Sequence, residues 1–206
     1  MNILILGGTG RVGGQIVTYA LDDRHHVTVL VRTPEKMQLN HENLTILQGN
    51  VLNKDDIVRA LHGIDVVISA LNTDGTTTLS KSMPCIIEAM ENKDILRIIT
   101  IGTAGILQSR ISPHLLRYQS SESKQKSARA AEEHHKVYNM LKQSKLEWTI
   151  VCPTYLPDGE RLGKYRTVSH FLPEGGIKIS VPDTAEFAFS QIKSSDYIKM
   201  RVGIAY

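Results

Sequence analysis

Hydrophobic and polar positions form two kinds of segment along the chain, and their order predicts the fold. Continuous apolar runs typical of buried strands occupy residues 2–6, 25–32, 44–49, 64–71, 96–102 and 146–151. Apolar residues recur at helical spacing in 12–21, 53–63, 79–90 and 128–141. Repeated strand–helix units predict an α/β fold: a doubly wound parallel sheet with right-handed crossovers and helices on both faces.

The pattern is weaker after Pro153. We expect one domain spanning residues 1–206, in which about 153–206 form a small elaboration on the substrate side. The run 177–180 predicts a short strand, and 197–206 contains a candidate final strand.

Two helix starts are indicated by capping residues. Asn53 is the expected N-cap of the helix in 53–63. Asp183 and Glu186 have the spacing of a capping box, which predicts a helix from Asp183 to about Ile192.

A glycine-rich turn separates the first strand from the first helix. The spacing Gly7-x-x-Gly10-x-x-Gly13 is typical of a dinucleotide-binding βαβ unit, the Rossmann fold. Its first glycine permits a tight turn, its second lets backbone approach a pyrophosphate, and its third lets helix and strand pack closely. Thr9 adds a hydroxyl, and Arg11 is expected either to reach the phosphates or to point into solvent. The alternative interpretation is that these glycines form a tight turn without binding a nucleotide.

The tip of the second strand is basic where an NAD-binding protein would carry an acid. A carboxylate there accepts from the ribose hydroxyls, whereas an arginine pairs with a 2′-phosphate. Arg32 and Thr33 follow the strand, and Lys36 is within plausible reach. We therefore expect NADP(H) to be preferred over NAD(H), unless Arg32 faces solvent or Glu35 points inward.

Three more strand ends are expected at the same ligand-binding edge. Asn50 and Val51 follow the third strand, where a side chain and the next backbone amide hold adenine. Ala70 and Leu71 end the fourth strand, and Thr103 ends the fifth. The carboxyl ends of parallel strands share one edge, so these residues should lie over one crevice.

Several stretches together resemble a known family. They are "GGTGRVG" at 7–13, "VTVLVR" at 27–32, "LRIITIGTAG" at 96–105 and "LKQSKLEWTIVCPTYLPD" at 141–158. The chain looks like the atypical short-chain dehydrogenases, and most like the biliverdin reductase B / flavin reductase group, which borders on the NmrA-like proteins. The likeness runs from residue 2 to about 200.

The resemblance implies NADP binding and two candidate catalytic residues. The cofactor-binding residues it implies are Gly7, Thr9, Gly10, Val12, Arg32, Asn50, Val51, Ala70 and Leu71. Thr103 stands where the family carries a serine, and His134 where it carries a histidine close to the cofactor. Either would orient the nicotinamide or assist protonation, or else make only a structural hydrogen bond. Pro153, Thr154 and Tyr155 replace a Pro-Pro-His stretch beside the nicotinamide.

A Tyr-x-x-x-Lys match is interpreted as a decoy. Tyr138 and Lys142 fit the proton-transfer pair of standard short-chain dehydrogenases, but they lie too close to Pro153. At the usual upstream distance stands Tyr118, which has Glu122 four residues on and no lysine. Tyr138 is therefore expected to pack. Without a proton donor, hydride transfer to a flavin or another conjugated acceptor, such as FMN or riboflavin, is favoured over carbonyl reduction.

Composition excludes several function classes. A formal charge of +3 is too small to indicate nucleic acid or a membrane surface as a partner. The apolar runs are too short to cross a bilayer, and we expect no signal peptide. Two cysteines suit a reduced, cytoplasmic protein, and the histidines lack metal-ligand spacing. Residues 105–124 are polar and are expected to form a long surface loop.

The leading hypothesis is an NADPH-dependent oxidoreductase acting on a small-molecule acceptor, as a monomer or weak homo-oligomer. The alternative is an NmrA-like NADP(H) sensor that acts through a protein partner without turnover. A sugar-nucleotide epimerase is disfavoured because the proton-transfer pair and a large substrate domain are missing.

Overall fold

The computed structural model of the protein describes residues 1–73, 75–123 and 127–206. These residues form one sheet of eight strands in the order β3-β2-β1-β4-β5-β6-β8-β7. The strands are β1 (Asn2–Leu6), β2 (His26–Val31), β3 (Leu44–Gln48), β4 (Val66–Ser69), β5 (Arg97–Ile101), β6 (Glu147–Pro153), β7 (Arg166–Ser169) and β8 (Met200–Ala205).

The sheet is parallel except at one edge, as the alternating pattern predicts. Ile3, Leu4 and Ile5 pair with Val27, Thr28 and Val29 of β2 on one side and with β4 on the other. Only β7 runs antiparallel, against β8. Central strands such as β4 are buried along their whole length, because helices cover both faces.

Within the described ranges, five α-helices form the two outer layers. They are α1 (Arg11–Asp22), α2 (Lys54–Ala60), α3 (Thr78–Glu91), α4 (Arg129–Gln143) and α5 (Val181–Ser190). Apolar residues of α1 and α5 pack in one core cluster, and those of α2, α3 and α4 pack in the other. Asn53 caps α2, since its side chain accepts from the amides of Asp55 and Asp56. In the part of the chain described, no helix has the length and apolar character needed to span a bilayer.

The second half differs from the prediction at three places. The run 177–180 is not a strand, because it makes only an isolated bridge between Lys178 and Tyr155. The unpredicted strand β7 lies at the sheet edge and is half exposed, so its sequence lacks the apolar run of a buried strand. Helix α5 begins at Val181 rather than Asp183, with Ser180 as N-cap.

Asp183 has a different role from the predicted cap. It lies in the first turn of α5, fully buried, and its carboxylate accepts from the amides of Leu162 and Gly163 and from the hydroxyl of Tyr206. Burial alone would raise the pKa of Asp183, but these hydrogen bonds lower it. The residue therefore anchors the segment after β6 to α5.

Residues 105–123, the described part of the predicted surface loop, are partly packed against the sheet. Ile106 and Leu107 are fully buried. The amide of Gln108 donates to His170 at 2.8 Å. Two short 3-10 turns, Ala104–Ile106 and Arg117–Gln119, give this segment its shape. The surface-loop prediction holds for most of this irregular stretch and is wrong at its buried positions, which are Ile106, Leu107, Ser109 and Leu116; its residue 124 lies outside the described residues.

Candidate functional site

The turn after β1 brings backbone from three elements into close contact. Gly7 has a φ of 82°, and a Cβ there would lie 2.5 Å from the carbonyl oxygen of Ala70. A Cβ on Gly13 would lie 2.2 Å from the carbonyl oxygen of Gly7. Only glycine fits these two positions, so α1 starts directly against the ends of β1 and β4.

The N-terminus of α1 has backbone donors without a side-chain acceptor. Its N-cap is Gly10, no side chain caps it, and no acid lies in its first turn. The first amides of a helix carry partial positive charge, so this end suits an anion. Arg11 points elsewhere: Nη1 donates to Asp158 Oδ1 at 2.8 Å and both Nη atoms donate to the carbonyl of Leu156.

A cavity of about 370 Å³, the glycine-loop cavity, opens at the carboxyl ends of β1 to β4. Nine of the predicted cofactor residues line it: Gly7, Thr9, Gly10, Arg32, Lys36, Asn50, Val51, Ala70 and Leu71. Arg11, Val12, Gly13 and Thr33 are outside its lining. Sequence reasoning missed Thr76 and Thr78, which enter from the loop and first turn of α3 rather than from a strand end.

The charge of the glycine-loop cavity is positive. Arg32 and Lys36 are the charged residues in its lining, both are exposed, and neither forms an ion pair within the described residues. Glu35 is outside the lining. Asn50 Oδ1 accepts from the amide of Leu52 at 3.0 Å, which fixes this side chain at the cavity wall. The cavity thus offers two cations and an ordered amide.

A second cavity of about 500 Å³, the Thr103 cavity, lies at the ends of β5 and β6. Four predicted residues line it: Thr103, Pro153, Thr154 and Tyr155. The rest of the lining includes Ala104, Gly105, Arg117, Tyr118, Glu122, Ala130, Ala131, Leu172, Gly176 and Ile177; of these, sequence position singled out Tyr118 and Glu122, but not as residues of a cavity. These residues come from connections and from the start of α4, so no strand-end pattern marks them.

The two candidate catalytic residues lie in different surroundings. Thr103 faces the Thr103 cavity, and its Oγ1 accepts from the amide of Gly105 at 3.4 Å, a long bond that leaves the hydroxyl proton available. His134 is half-buried on α4 and is outside the lining of both cavities. Burial lowers the pKa of His134 to about 4, although Glu133 opposes the shift, so the ring is neutral near pH 7.

Tyr138 and Tyr118, the two tyrosines compared in the sequence, also have different surroundings. Tyr138 packs edge-on against Trp148, with the Arg201 guanidinium 4.3 Å from its ring centre, which confirms its packing role. Tyr118 lines the Thr103 cavity, but its hydroxyl is hydrogen-bonded to His135 Nδ1 at 2.9 Å. His135 lies one turn beyond the α4 residue Ala131 that lines the cavity, so the phenol is directed along the helix.

Other reactive groups do not converge on these cavities. The described residues contain no group of three or more His, Cys, Asp or Glu side chains that could hold a metal. Burial raises the pKa of Cys152 to about 12, so its thiol is protonated and packs. A third cavity of about 580 Å³ lies between α1 and α5, but its main charges pair internally, as Arg161 does with Glu186 at 2.9 Å.

Comparisons with known proteins identify one family and several similar structures. A family described as NAD(P)H-binding matches residues 7–195. A solved structure of a proposed NADH-flavin reductase from Streptococcus pneumoniae TIGR4 aligns with a TM-score of 0.82 and 26% identity, over 100% of this chain and 99% of the other. A proposed epimerase from Bacteroides thetaiotaomicron aligns with a TM-score of 0.86 and 27% identity, over 100% and 96%.

One curated relative is similar in sequence over part of this chain. Photosystem II assembly factor Ycf39 from Synechocystis sp. is 40% identical over 81 residues, which is 39% of this chain and 25% of that protein. The chain thus matches about a quarter of that relative's length.

Proposed function

We propose that this chain, which belongs to the NAD(P)H-binding family, is an NADPH-dependent reductase of a flavin or another conjugated small molecule. The more specific assignment to the biliverdin reductase B / flavin reductase group is part of the proposal. The similarity to a proposed NADH-flavin reductase over the whole chain supports it.

The observation that carries the proposal is the contrast between two neighbouring cavities. The glycine-loop cavity has unpaired cations and lies over an uncapped helix start. In the Thr103 cavity, half of the described lining is alanine, glycine, proline, leucine or isoleucine, and its two charges are paired. Strands β4 and β5 are adjacent, so the two cavities follow each other along one sheet edge. A dinucleotide fits this arrangement, with its phosphates over α1 and its reactive end beside a flat acceptor.

The residues of the glycine-loop cavity fit NADP(H) better than NAD(H). No carboxylate lies among the charged residues of its described lining, so nothing there accepts from both ribose hydroxyls. The Arg32 guanidinium forms planar, bidentate bonds to phosphate, and the Lys36 ammonium adds a second charge. A 2′-phosphate at this position would supply the anion that both side chains lack.

The protein's part in the reaction is to position two flat groups and exclude water. When bound, the dihydronicotinamide supplies a hydride, and the oxidised flavin takes that hydride and one proton, giving NADP⁺ and reduced flavin. Gly7 and Gly13 would let the cofactor approach the backbone closely, and Thr103 would offer a hydroxyl at the place where the acceptor lies beside the cofactor. The described lining of the Thr103 cavity holds no histidine, so the proton is proposed to reach the reduced flavin from solvent at the open side of the cavity.

The test is NADPH oxidation by the purified protein, followed by nicotinamide absorbance, with riboflavin or FMN as acceptor and NADH in parallel. We expect flavin-dependent oxidation that is faster with NADPH than with NADH. Thr103→Val is the site variant, and Thr45→Val, on β3 and away from both cavities, is its matched control. Tight NADPH binding without reduction of either flavin would contradict the reductase and favour the NmrA-like sensor.

A further inference from the structure

The Thr103 cavity contains two opposite charges that neutralise each other. Arg117 and Glu122 are the charged residues of its described lining, and Arg117 Nη1 lies 3.0 Å from Glu122 Oε1. Their side chains are only 20% and 14% exposed, so solvent screens this pair less than it screens a surface pair. The described lining of the cavity therefore has no net charge.

Glu122 is held in place by more than its ion pair. Its Oε2 accepts from the amide of Arg110 at 2.8 Å, and the hydroxyl of Ser109 also hydrogen-bonds the carboxylate. Burial would raise the pKa of Glu122, but these hydrogen bonds and the charge of Arg117 lower it, so the carboxylate is ionised at neutral pH. It remains a permanent counterion for Arg117.

The nearby Arg110 is not available for an anion either. Its Nη2 donates to the carbonyl of Leu172 at 3.1 Å, and its guanidinium carbon lies 4.9 Å from the centre of the Phe171 ring. The amide of Arg110 binds Glu122, as described above. Each described cation around this cavity thus has an internal partner, in contrast to Arg32 and Lys36 of the glycine-loop cavity.

The rest of the Thr103 cavity is suited to an uncharged ring system. Tyr155 and Ile177 are 67% and 76% exposed at its edge, so both offer apolar surface to a bound ring. Ala104 and Gly105 add small, uncharged residues to the same lining. Thr154 and Ser127 add hydroxyls that suit neutral polar substituents.

From these contacts we infer that Glu122 is a specificity-determining residue that makes the acceptor site select an uncharged flavin, riboflavin, over its phosphorylated form, FMN. The inference rests on the proposed function. A phosphate in this cavity would face the Glu122 carboxylate and would have to break the Arg117–Glu122 pair to gain a cation. Neutral riboflavin has the same ring and avoids that cost.

The experiment compares kcat/KM for riboflavin and FMN with saturating NADPH in three proteins: wild type, Glu122→Gln and Glu160→Gln. Glu160 is exposed and outside both cavities, so its substitution makes the same net charge change without freeing Arg117. We expect wild type and Glu160→Gln to prefer riboflavin. In Glu122→Gln the preference should move toward FMN by about tenfold, as for one charge-assisted hydrogen bond.

A second variant keeps the test decisive if Glu122→Gln folds poorly. Arg117→Gln leaves the carboxylate unpaired and should move the preference further toward riboflavin, in the opposite direction. A wild-type preference for FMN, or an unchanged ratio in the variants, overturns the inference. If neither flavin is reduced, the reductase proposal fails, and flavin binding measured by fluorescence quenching then tests the selectivity of the cavity by itself. Tighter binding of riboflavin than of FMN supports the inference. Equal or tighter binding of FMN, or no binding of either flavin, overturns it.

Discussion

Replacing Gly13 with alanine tests the close packing between α1 and the turn after β1. The added Cβ would lie 2.2 Å from the Gly7 carbonyl oxygen and 2.8 Å from its carbonyl carbon, whereas ordinary contact begins near 3.4 Å. Both atoms belong to the backbone and cannot rotate away, so helix and turn must separate by roughly 1 Å. Overpacking of this kind costs about 1–3 kcal/mol, and the gain in helix propensity returns about 1 kcal/mol.

Gly14 offers a control in the next position of the same helix. A Cβ there would lie 3.4 Å from the Gly8 carbonyl oxygen, which is ordinary van der Waals contact. Gly14→Ala should therefore keep the propensity gain of about 1 kcal/mol without the clash. The two variants should differ by about 2 kcal/mol in the free energy of unfolding, or about 4–8 °C in Tm for a chain of this size.

Urea unfolding and thermal melts followed by circular dichroism measure this difference directly. Calorimetric titration with NADP⁺ adds a functional readout, because a displaced turn should bind the cofactor weakly in Gly13→Ala and normally in Gly14→Ala. Equal unfolding midpoints for the two variants would refute the claim that Gly13 is needed for close packing.

Three further predictions follow from single contacts. Arg32→Ala should weaken NADPH by about tenfold to a hundredfold, the value of a bidentate charge-assisted contact, and NADH far less, as measured by fluorescence titration. His134 has a folded-state pKa of about 4, below its unfolded value near 6.5, so stability is complete above about pH 6.5 and falls as the pH drops toward 4. Because His134 keeps partial solvent contact, the loss of stability should be about 1–2 kcal/mol near pH 5. Urea unfolding above pH 6.5 and near pH 5 measures this loss, which should be smaller in His134→Gln. Ser80→Ala should destabilise the fold by about 1–3 kcal/mol, because the Ser80 hydroxyl donates to the buried Glu133 carboxylate at 2.5 Å.

Each of these predictions has its own control. Arg24→Ala removes an exposed arginine away from both cavities and should leave cofactor affinity unchanged; equal losses for NADPH and NADH in Arg32→Ala would rule out a contact with the 2′-phosphate. An unaltered pH dependence in His134→Gln would mean that other groups cause the acid sensitivity. Ser82→Ala removes a buried hydroxyl that bonds only Leu79 of its own helix, so it should cost less than Ser80→Ala.

The strands of the parallel sheet were predictable because burial on both faces requires nearly continuous apolar runs. Strand β4 is an example, with four fully buried residues. Strand β7 was not predictable from the sequence, because an edge strand that is half exposed tolerates polar residues such as Arg166 and Ser169. The start of α5 was misplaced because Ser180 and Asp183 both carry capping oxygens, and only the fold shows that Ser180 is outside the helix.

Part of the candidate site was equally readable from the sequence. Residues such as Asn50 and Ala70 follow strands directly, and the geometry of a parallel sheet gathers such positions at one edge. Arg117 and Glu122 lie in a long connection whose path depends on tertiary contacts, so nothing local indicated that they face a cavity. The direction of Arg11 was also undetermined, because its partners Leu156 and Asp158 are distant in sequence.

The position of β8 within the sheet has a consequence for how the chain folds. Strand β8 lies between β6 and β7, and β7 pairs with it alone. Until β8 is inserted, β6 has an open edge and β7 has no neighbour in the sheet. Open strand edges promote association between chains. We therefore expect a partly folded chain that lacks β8 to aggregate more readily than the native protein.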